Sequence, residues 1–141
     1  TQSRSSAASD VYKRQTMTIS RYNNFALLVL RVGVSAMMLT HGIPKIERLF
    51  NSPVEFPDPL GIGALWSLLL ALLGEVVAPI LIIIGLKSRY ASIIALITML
   101  VAAFVVHAND SFGQKEKALL YALGFLVVFL AGPGKFSIDK N

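Results

Sequence analysis

Residues 62–106 read IGALWSLLLALLGEVVAPILIIIGLKSRYASIIALITMLVAAFVV, and this stretch decides the fold. It contains two apolar runs, 62–86 and 90–106, that are separated only by the basic triplet KSR at 87–89. A helix needs about 20 apolar residues to cross the roughly 30 Å of hydrocarbon in a bilayer. Each run is long enough or nearly so, and the triplet has room only for a tight turn. The stretch therefore predicts a hairpin of two membrane-spanning helices.

Two further apolar runs flank this hairpin, at 25–43 before it and at 118–131 after it. The last run is short, but the charged residues at 115–117 can start its helix early because their long side chains place the charged groups at the interface. The connection 44–61 holds four of the six prolines, so we expect an irregular loop on the membrane surface there. The sequence thus predicts an all-α fold, a four-transmembrane-helix bundle with up-down topology.

The composition indicates a membrane protein of one domain. Of the 141 residues, 55% are hydrophobic and 15% charged, and the mean hydropathy is +0.65, whereas about a quarter of the residues of a soluble domain are charged. The net charge of +5 comes from basic residues at the ends of apolar runs, a pattern that orients membrane proteins, so we expect no nucleic-acid partner. The chain has no cysteine, which excludes disulfides, thiolate nucleophiles and thiolate-bound zinc or iron–sulfur clusters held by this chain.

Residues 1–16 are polar, rich in serine and without periodicity. We expect them to form a disordered or non-native tail, because the string SSAASDVYKRQ resembles translated adapter sequence, and Met17 is then the expected start. A native basic tail is the alternative. The remaining residues, 17–141, make the four-helix membrane domain.

The lysines and arginines near the helix ends predict the orientation, because these residues are in excess on the cytoplasmic side of membrane proteins. In the predicted topology one side carries Arg21, Lys87, Arg89, Lys135 and Lys140, and the other carries Lys45, Arg48, Lys115 and Lys117. The bias favours both termini inside. We therefore expect a protein of the bacterial cytoplasmic membrane with both termini in the cytoplasm.

Two ionisable residues, Arg31 and Glu75, lie inside predicted spans, where a charge costs about 2.5 to 3.5 kcal/mol on insertion scales. We expect them to form an ion pair between the first two helices, with Ser35 as a further hydrogen-bond partner of Arg31. One interpretation is that the pair only fixes helix register, or that Arg31 reaches to the cytoplasmic interface. The other is that Glu75 exchanges protons or contacts a ligand. Pro79 would leave the carbonyl of Glu75 without its helical partner and so create a polar spot.

A second group of polar residues is expected on the outer side. His41 ends the first span and His107 ends the third, so the two imidazoles arrive at one membrane face. Their polar neighbours in the predicted topology are Lys45, Asn109, Asp110, Glu116 and Tyr121. Four interpretations remain open: histidines wetted by lipid headgroups, a site for a quinone headgroup, bis-histidine haem ligation, and a copper or zinc site with Asp110 or Glu116. We favour quinone over haem, because nothing in the sequence except the two histidines points to haem. We assign no metal ligands.

Three segments of the chain resemble the DoxX family of bacterial membrane proteins: LRVGVSAMMLTHGIPKI at 30–46, GEVVAPILIIIGLKSRYAS at 74–92, and HANDSFGQKEKALLYALGFLVVFLAGPGKFSIDKN at 107–141. The resemblance extends over about residues 24 to 140. Its most specific positions are Arg31, His41-Gly42, Lys45, Glu75, Gly85, Arg89, Glu116, Gly132-Pro133-Gly134 and Phe136-Ser137-Ile138-Asp139.

The resemblance implies a four-helix membrane bundle and a link to redox chemistry. The family takes its name from a subunit associated with thiosulfate:quinone oxidoreductase and terminal quinol oxidase, and other members are tied to oxidative-stress defence. The family pattern marks Arg31, His41, Lys45, Glu75, Glu116 and Asp139. This chain departs from the namesake subunits in lacking cysteine, which argues against sulfur transfer through a protein thiol.

The leading functional hypothesis is a subunit or accessory of a quinone-linked redox or oxidative-stress system. Glu75, His41 and Glu116 are the expected proton-handling residues, and the expected quinone-binding residues are Arg31, His41, Lys45, His107 and Tyr121. The expected partners are the lipid bilayer together with redox proteins or further copies of this chain. The alternative is a non-enzymatic membrane scaffold or a small carrier. The carrier is disfavoured by the lack of an internal repeat.

Overall fold

The computed structural model describes residues 2–139, and within them it contains helices and no β-strand. Helix α1 spans Gln2–Ile46, α2 spans Ala64–Ile84, α3 spans Ser88–Val106 and α4 spans Phe112–Ala131. The prediction of an all-α fold is confirmed. Thr1, Lys140 and Asn141 lie outside the described residues, so the place of Lys140 in the charge count stays a prediction.

Three of the helices in the described range, α1, α2 and α3, are long and apolar enough to cross a membrane. Helix α4 does not meet this measure, because its first turns carry the charged residues 115–117 and the apolar run 118–131 covers only about 21 Å. The four helices pack side by side, α1 against α2 and α4, and α3 against α2 and α4. Four crossings with up-down topology are therefore only partly supported.

The bundle has a core of mostly small and medium-sized side chains and exposes many large apolar ones. The buried core includes Met38, Ile82, Ala95, Phe125 and Val128, all 5% exposed or less. In contrast, Trp66, Phe104 and Leu120 are at least 60% exposed on the outside of the bundle. An apolar outer surface of this kind is unfavourable in water and favourable in lipid.

The N-terminal part of α1 differs from expectation. Residues 2–16 are helical, in place of the tail without regular structure that we expected, and the side chains of residues 3–19 are exposed. Neither proline nor glycine occurs before residue 33, so nothing in the local sequence stops the helix from extending backwards from the apolar run. The division of the chain at residue 16 stays a prediction.

The connection between α1 and α2 begins later than predicted. Helix α1 continues through Pro44 to Ile46, a 3₁₀ turn follows at Glu47–Phe50, and the irregular segment starts only at residue 51. Pro44 is tolerated because it lies in the last turn, where its missing N–H costs a single helical hydrogen bond. As a result Lys45 follows His41 by one helical turn on the same helix.

Helix α2 contains a π-helical turn at Leu73–Val77, directly before Pro79. The Ala78 N–H donates to the carbonyl of Leu73, five residues earlier. Pro79 has no N–H for the carbonyl of Glu75, and a π turn is a common response to such a missing donor. A Cβ atom added to Gly42 would lie 2.5 Å from that carbonyl oxygen, so α1 and α2 approach closely at this level.

The segment that follows α4 folds back under one end of the bundle. The Asp139 N–H donates to the carbonyl of Gly85 (2.9 Å), and the Asp139 carboxylate accepts the N–H of Ser88 (3.0 Å) at the start of α3. Gly132, Pro133 and Gly134 are buried. This closing segment, residues 132–139, therefore covers the end of the bundle at which α2 turns into α3.

Candidate functional site

The register of α1 against α2 separates Arg31 from Glu75. Gly42 lies against the Glu75 carbonyl, whereas a Cβ atom on Gly85 would clash with the Arg31 guanidinium. Arg31 is thus level with Gly85, and Glu75 is level with Gly42, which puts roughly 16 Å along the helix axis between the two charges. The predicted Arg31–Glu75 ion pair is wrong, because the estimate of depth from the ends of the apolar runs missed this register.

Arg31 binds the closing segment instead. Its side chain is only 2% exposed, and its terminal nitrogens donate to the carbonyl oxygens of Pro133 (3.2 Å) and Phe136. Nε of Arg31 and the hydroxyl of Ser35 are both buried without a hydrogen-bond partner among the described residues, so the predicted bond between them is absent. Arg31 therefore holds the chain end in place and lies away from the candidate site.

Glu75 pairs with Lys45. Lys45 Nζ lies 2.6 Å from Oε1 and 2.5 Å from Oε2 of Glu75, and the exposed fractions of the two side chains are 29% and 7%. The helical turn through Pro44 carries Lys45 to the level of Glu75, which the π turn holds against Gly42. A charged pair sheltered from water interacts strongly, so the two side chains are held in one geometry.

A small cavity of about 150 Å³ lies on one side of this ion pair. Seven of the residues that line it are polar or charged: His41, Lys45, Glu75, His107, Gln114, Lys117 and Tyr121. The His41 and Tyr121 rings meet edge to face, with centroids 5.6 Å apart and an interplanar angle of 81°. The structure thus brings together five of the residues that the sequence singled out.

A larger cavity of about 480 Å³ lies on the other side of the pair. Its walls are mostly apolar and come from α2, α3 and the connection between α1 and α2, including Phe56, Leu60, Leu70, Ile94 and Val101. The two cavities share Lys45, Glu75, Ala102 and His107. The ion pair and His107 therefore lie between a mainly apolar space and a smaller one in which polar groups make up a larger share of the walls.

His107 is oriented by the short connection between α3 and α4. Its Nδ1 lies 2.6 Å from an Asp110 carboxylate oxygen, and Lys115 Nζ donates to the carbonyl of Ala108 (2.8 Å). With Nδ1 engaged, Nε2 is the ring nitrogen available to a ligand. Within residues 2–139 no group of three or more histidine, aspartate and glutamate side chains comes together as a metal site would require.

Asp58 organises the connection that walls the larger cavity. Its carboxylate accepts hydrogen bonds from the N–H groups of Ile62 (2.9 Å) and Gly63 (2.8 Å) and from the Ser67 hydroxyl (2.8 Å). The Ser67 hydroxyl and then the Gly63 N–H are the main causes that lower the pKa of Asp58. The start of α2 is thereby tied to the loop whose Phe56 ring lies 5.9 Å from Lys45 Nζ.

Two predicted residues lie outside this arrangement, and two others were missed. Arg31 is at the opposite end of the bundle, and Glu116 is exposed and lines neither of the two cavities. Gln114 and Lys117, which do line the small cavity, were not predicted. A signal for them existed, because positions 114, 117 and 121 repeat at helical spacing and so share one face of α4 with Tyr121. The functional roles of all these residues stay predictions.

Comparison with known proteins identifies the family. The family model described as DoxX matches residues 26–108, which include α2, α3 and the Lys45–Glu75 pair. This chain belongs to the DoxX family. The match confirms the resemblance that the sequence motifs indicated. No solved structure matches this DoxX-family chain.

Curated relatives cover nearly the whole chain. A protein of Haemophilus influenzae with the name "Uncharacterized protein" is 33% identical over 134 residues, covering 87% of this chain and 95% of the relative. Two Escherichia coli K12 proteins, named inner membrane proteins YphA and YqjF, are 27% and 25% identical; they cover 89% and 86% of this chain, and 100% and 95% of their own lengths are matched. Together with the three apolar helices, these matches make this DoxX-family chain a membrane protein.

Proposed function

We propose that this DoxX-family protein binds quinone and serves as a subunit or accessory of a quinone-linked redox or oxidative-stress system. The observation that carries the proposal is the apolar cavity of about 480 Å³ that ends at the Lys45–Glu75 ion pair. Small-molecule sites typically measure about 300 to 1,000 Å³ and combine apolar walls with a few polar groups. A quinone has this same division, with a lipid-soluble body and two polar carbonyl oxygens.

The donors at the polar end suit carbonyl oxygens. A lysine ammonium has three hydrogens, and the two carboxylate oxygens of Glu75 account for two of them, which leaves one for a ligand oxygen. The His107 ring, held at Nδ1 by Asp110, offers Nε2 as a second group. His41 and Tyr121 line the small cavity, which borders the same ion pair.

A bound quinone would supply two-electron, two-proton redox chemistry, with the electrons exchanged through a partner redox protein. Within this chain, Glu75 and His107 are the groups that hold or release protons at the polar end of the cavity. Lys45 orients the Glu75 carboxylate and offers its remaining N–H to the ligand. The apolar residues from α2 and α3 keep water away from the ligand and leave the lipid side open for its entry.

We further propose that α4 is a fourth span and that the protein lies in the bacterial inner membrane with both termini in the cytoplasm. The names of the E. coli relatives support the location. The sequence supports the orientation, because five lysines and arginines near the helix ends, Lys140 included, are assigned to the side of the termini and four to the other side. A membrane-impermeant thiol reagent tests it in intact spheroplasts: Ser111→Cys should react, and Lys135→Cys should react only after the membrane is opened. The reverse result would overturn the orientation.

Quinone retention is the direct test of function. The protein is purified into lipid nanodiscs of native membrane lipid, and quinones are extracted and quantified by mass spectrometry against empty nanodiscs. We expect retention by the unsubstituted protein and about a tenfold loss, equal to 1.4 kcal/mol, for Ala71→Phe, which fills the larger cavity while leaving the ion pair intact. Lys135→Met, on the exposed closing segment, is the control and should retain quinone.

Retention no better than in empty nanodiscs would overturn the quinone proposal. The non-enzymatic scaffold or carrier would then be the better interpretation. It predicts that substitutions at His41 and His107 leave cellular function intact, while substitutions at tightly packed glycines such as Gly74 abolish it through misassembly.

A further inference from the structure

The two cavities on either side of the Lys45–Glu75 pair differ in what they can hold. The larger cavity is walled mainly by aliphatic side chains, which suit a lipid-soluble molecule. The smaller one presents imidazole, amide, ammonium and phenol groups and has room for about five waters at the volume water occupies in the liquid. Polar walls and sufficient volume are the two conditions for an internal site to hold water.

The small cavity also has a polar mouth. Gln114 and Lys117 line it and are both exposed, in the first two turns of α4. Their neighbours Lys115 and Glu116 are charged, and charged side chains avoid the hydrocarbon region. This end of α4 therefore lies at the membrane surface, and the mouth of the small cavity faces the aqueous phase.

We propose that the small cavity is a water-filled vestibule through which the Glu75 carboxylate exchanges protons with the aqueous phase on the side of the α3–α4 connection. The larger cavity brings the lipid-soluble ligand to the same carboxylate from the lipid side. The inference deepens the proposed function, because it assigns a route for protons to the same site. It also stands without the quinone, since it rests on the walls of the cavity and the position of the ion pair.

The proton step is simple. A hydronium in the vestibule gives its proton to a Glu75 oxygen, an O–H bond forms, and water remains. Lys45 keeps its own proton and loses its anionic partner, which frees its ammonium group for other acceptors. The titratable and charged groups that face this event are Lys45 and His41 from α1, His107 from the end of α3, and Lys117 and Tyr121 from α4.

The absence of native cysteine makes the vestibule testable by thiol labelling. Ala118 is 9% exposed and lines the small cavity, whereas Ala122, one turn further along α4, is 5% exposed and lines neither cavity. Each is replaced by cysteine in the full chain in nanodiscs, and the rate of reaction with the charged reagent sulfonatoethyl methanethiosulfonate is measured. We expect Ala118→Cys to react at least about tenfold faster than Ala122→Cys, since only the former meets water.

Equal rates for the two variants would overturn the vestibule. A second measurement uses the unsubstituted protein: at acidic pH the infrared band of the protonated Glu75 carboxyl, assigned by its loss in Glu75→Gln, should shift promptly on transfer to D₂O. A band that does not shift would also overturn it. Neither readout involves quinone, so retention of quinone without labelling refutes the vestibule alone, and labelling without retention refutes the proposed function alone.

Discussion

Lys45 and Glu75 form an ion pair whose contribution to stability depends on how far the two side chains are buried. Glu75 is nearly buried, and Lys45 is about one-third exposed. Taking charges out of water is costly, and the mutual attraction repays this cost only when both partners are present. The pair is thus better understood as a device that holds two reactive groups in place than as a source of stability.

Removal of one partner should therefore cost more than removal of both. We expect Lys45→Met or Glu75→Gln alone to lower the free energy of unfolding by about 2 to 3 kcal/mol, and the double variant Lys45→Met/Glu75→Gln to recover part of the loss. Thermal unfolding in detergent measures all three. Lys117→Met, which changes an exposed lysine of the small cavity, should be near neutral. Additive effects at positions 45 and 75 would contradict the coupling.

Asp58 provides a pH dependence outside the membrane. Hydrogen bonds from the Ser67 hydroxyl and the backbone N–H groups that follow Asp58 lower its pKa in the folded protein. A lowered pKa means that the stabilisation is complete above the ordinary value of 3.8 and is lost as the pH falls through the lowered value.

Asp58→Ala should consequently lower the melting temperature at neutral pH and have little further effect at a pH below the lowered pKa. Comparison of melting curves for both proteins over an acidic pH series measures this. Ser67→Ala removes one of the hydrogen bonds and should give a smaller change of the same sign. A difference between Asp58→Ala and the unsubstituted protein that stays constant down to the lowest pH would rule out the ionised form as the source.

At the scale of the helices, the contact between α1 and α2 sets the position of Glu75. Gly42 lies against the Glu75 carbonyl that Pro79 leaves without a helical donor, and Gly74 lies against Thr98 of α3. Small residues let membrane helices approach closely. Gly42 of α1 and Gly74 within the π turn therefore let α2 pack closely against α1 and α3, with Glu75 turned towards Lys45.

Gly42→Ala should destabilise the protein by about 1 to 3 kcal/mol, because its Cβ atom would overlap backbone atoms of Glu75. Gly33→Ala is the matched control on the same helix: a Cβ atom there meets nothing within 4 Å, and alanine favours helix by about 1 kcal/mol. The two variants should thus shift the melting temperature in opposite directions. A shift of the same sign and size would show that helix propensity, rather than the close contact, dominates.

At the scale of the whole molecule, the closing segment 132–139 contacts three helices. Arg31 of α1 donates to two of its carbonyl oxygens. Its own N–H groups at Ile138 and Asp139 donate to the carbonyls of Ile84 and Gly85 at the end of α2, and the Asp139 carboxylate accepts the N–H of Ser88 at the start of α3. Without Arg31 the carbonyl oxygens of Pro133 and Phe136 would lose a charged donor. The contacts at this end of the bundle therefore hold the helices together, whereas the end with the two cavities carries the candidate functional site.

Arg31→Met should lower the free energy of unfolding by about 3 kcal/mol, since hydrogen bonds from a charged donor contribute about 1.5 to 3 kcal/mol each. It should also speed tryptic cleavage after Lys135, which is exposed on the closing segment. Arg21→Met, on the exposed part of the same helix, should change neither quantity. Unchanged cleavage after Lys135 in Arg31→Met would show that the segment is held by other contacts.

The periodic and compositional features of the sequence predicted most of the helices. The runs at 25–43, 62–86, 90–106 and 118–131 lie in the four helices apart from end residues, because an apolar run of that length has few alternatives to a helix. The helix boundaries in the tail 1–16 and around Pro44 were harder to predict, because neither polar residues nor a proline in a last turn shows where a helix ends. His41, Lys45, Glu75, His107 and Tyr121 were singled out from the sequence, and the structure places them around one cavity.

The sequence by itself determined which polar groups would be placed among apolar helices and that they would need partners. Only the tertiary structure decided the partners: Lys45 for Glu75 and the closing segment for Arg31. The physical reason is that the cost of a buried charge is local to the residue, whereas its compensation depends on the axial register of two helices. That register follows from close contacts at Gly42 and Gly85 and from the π turn before Pro79, which no hydropathy pattern encodes.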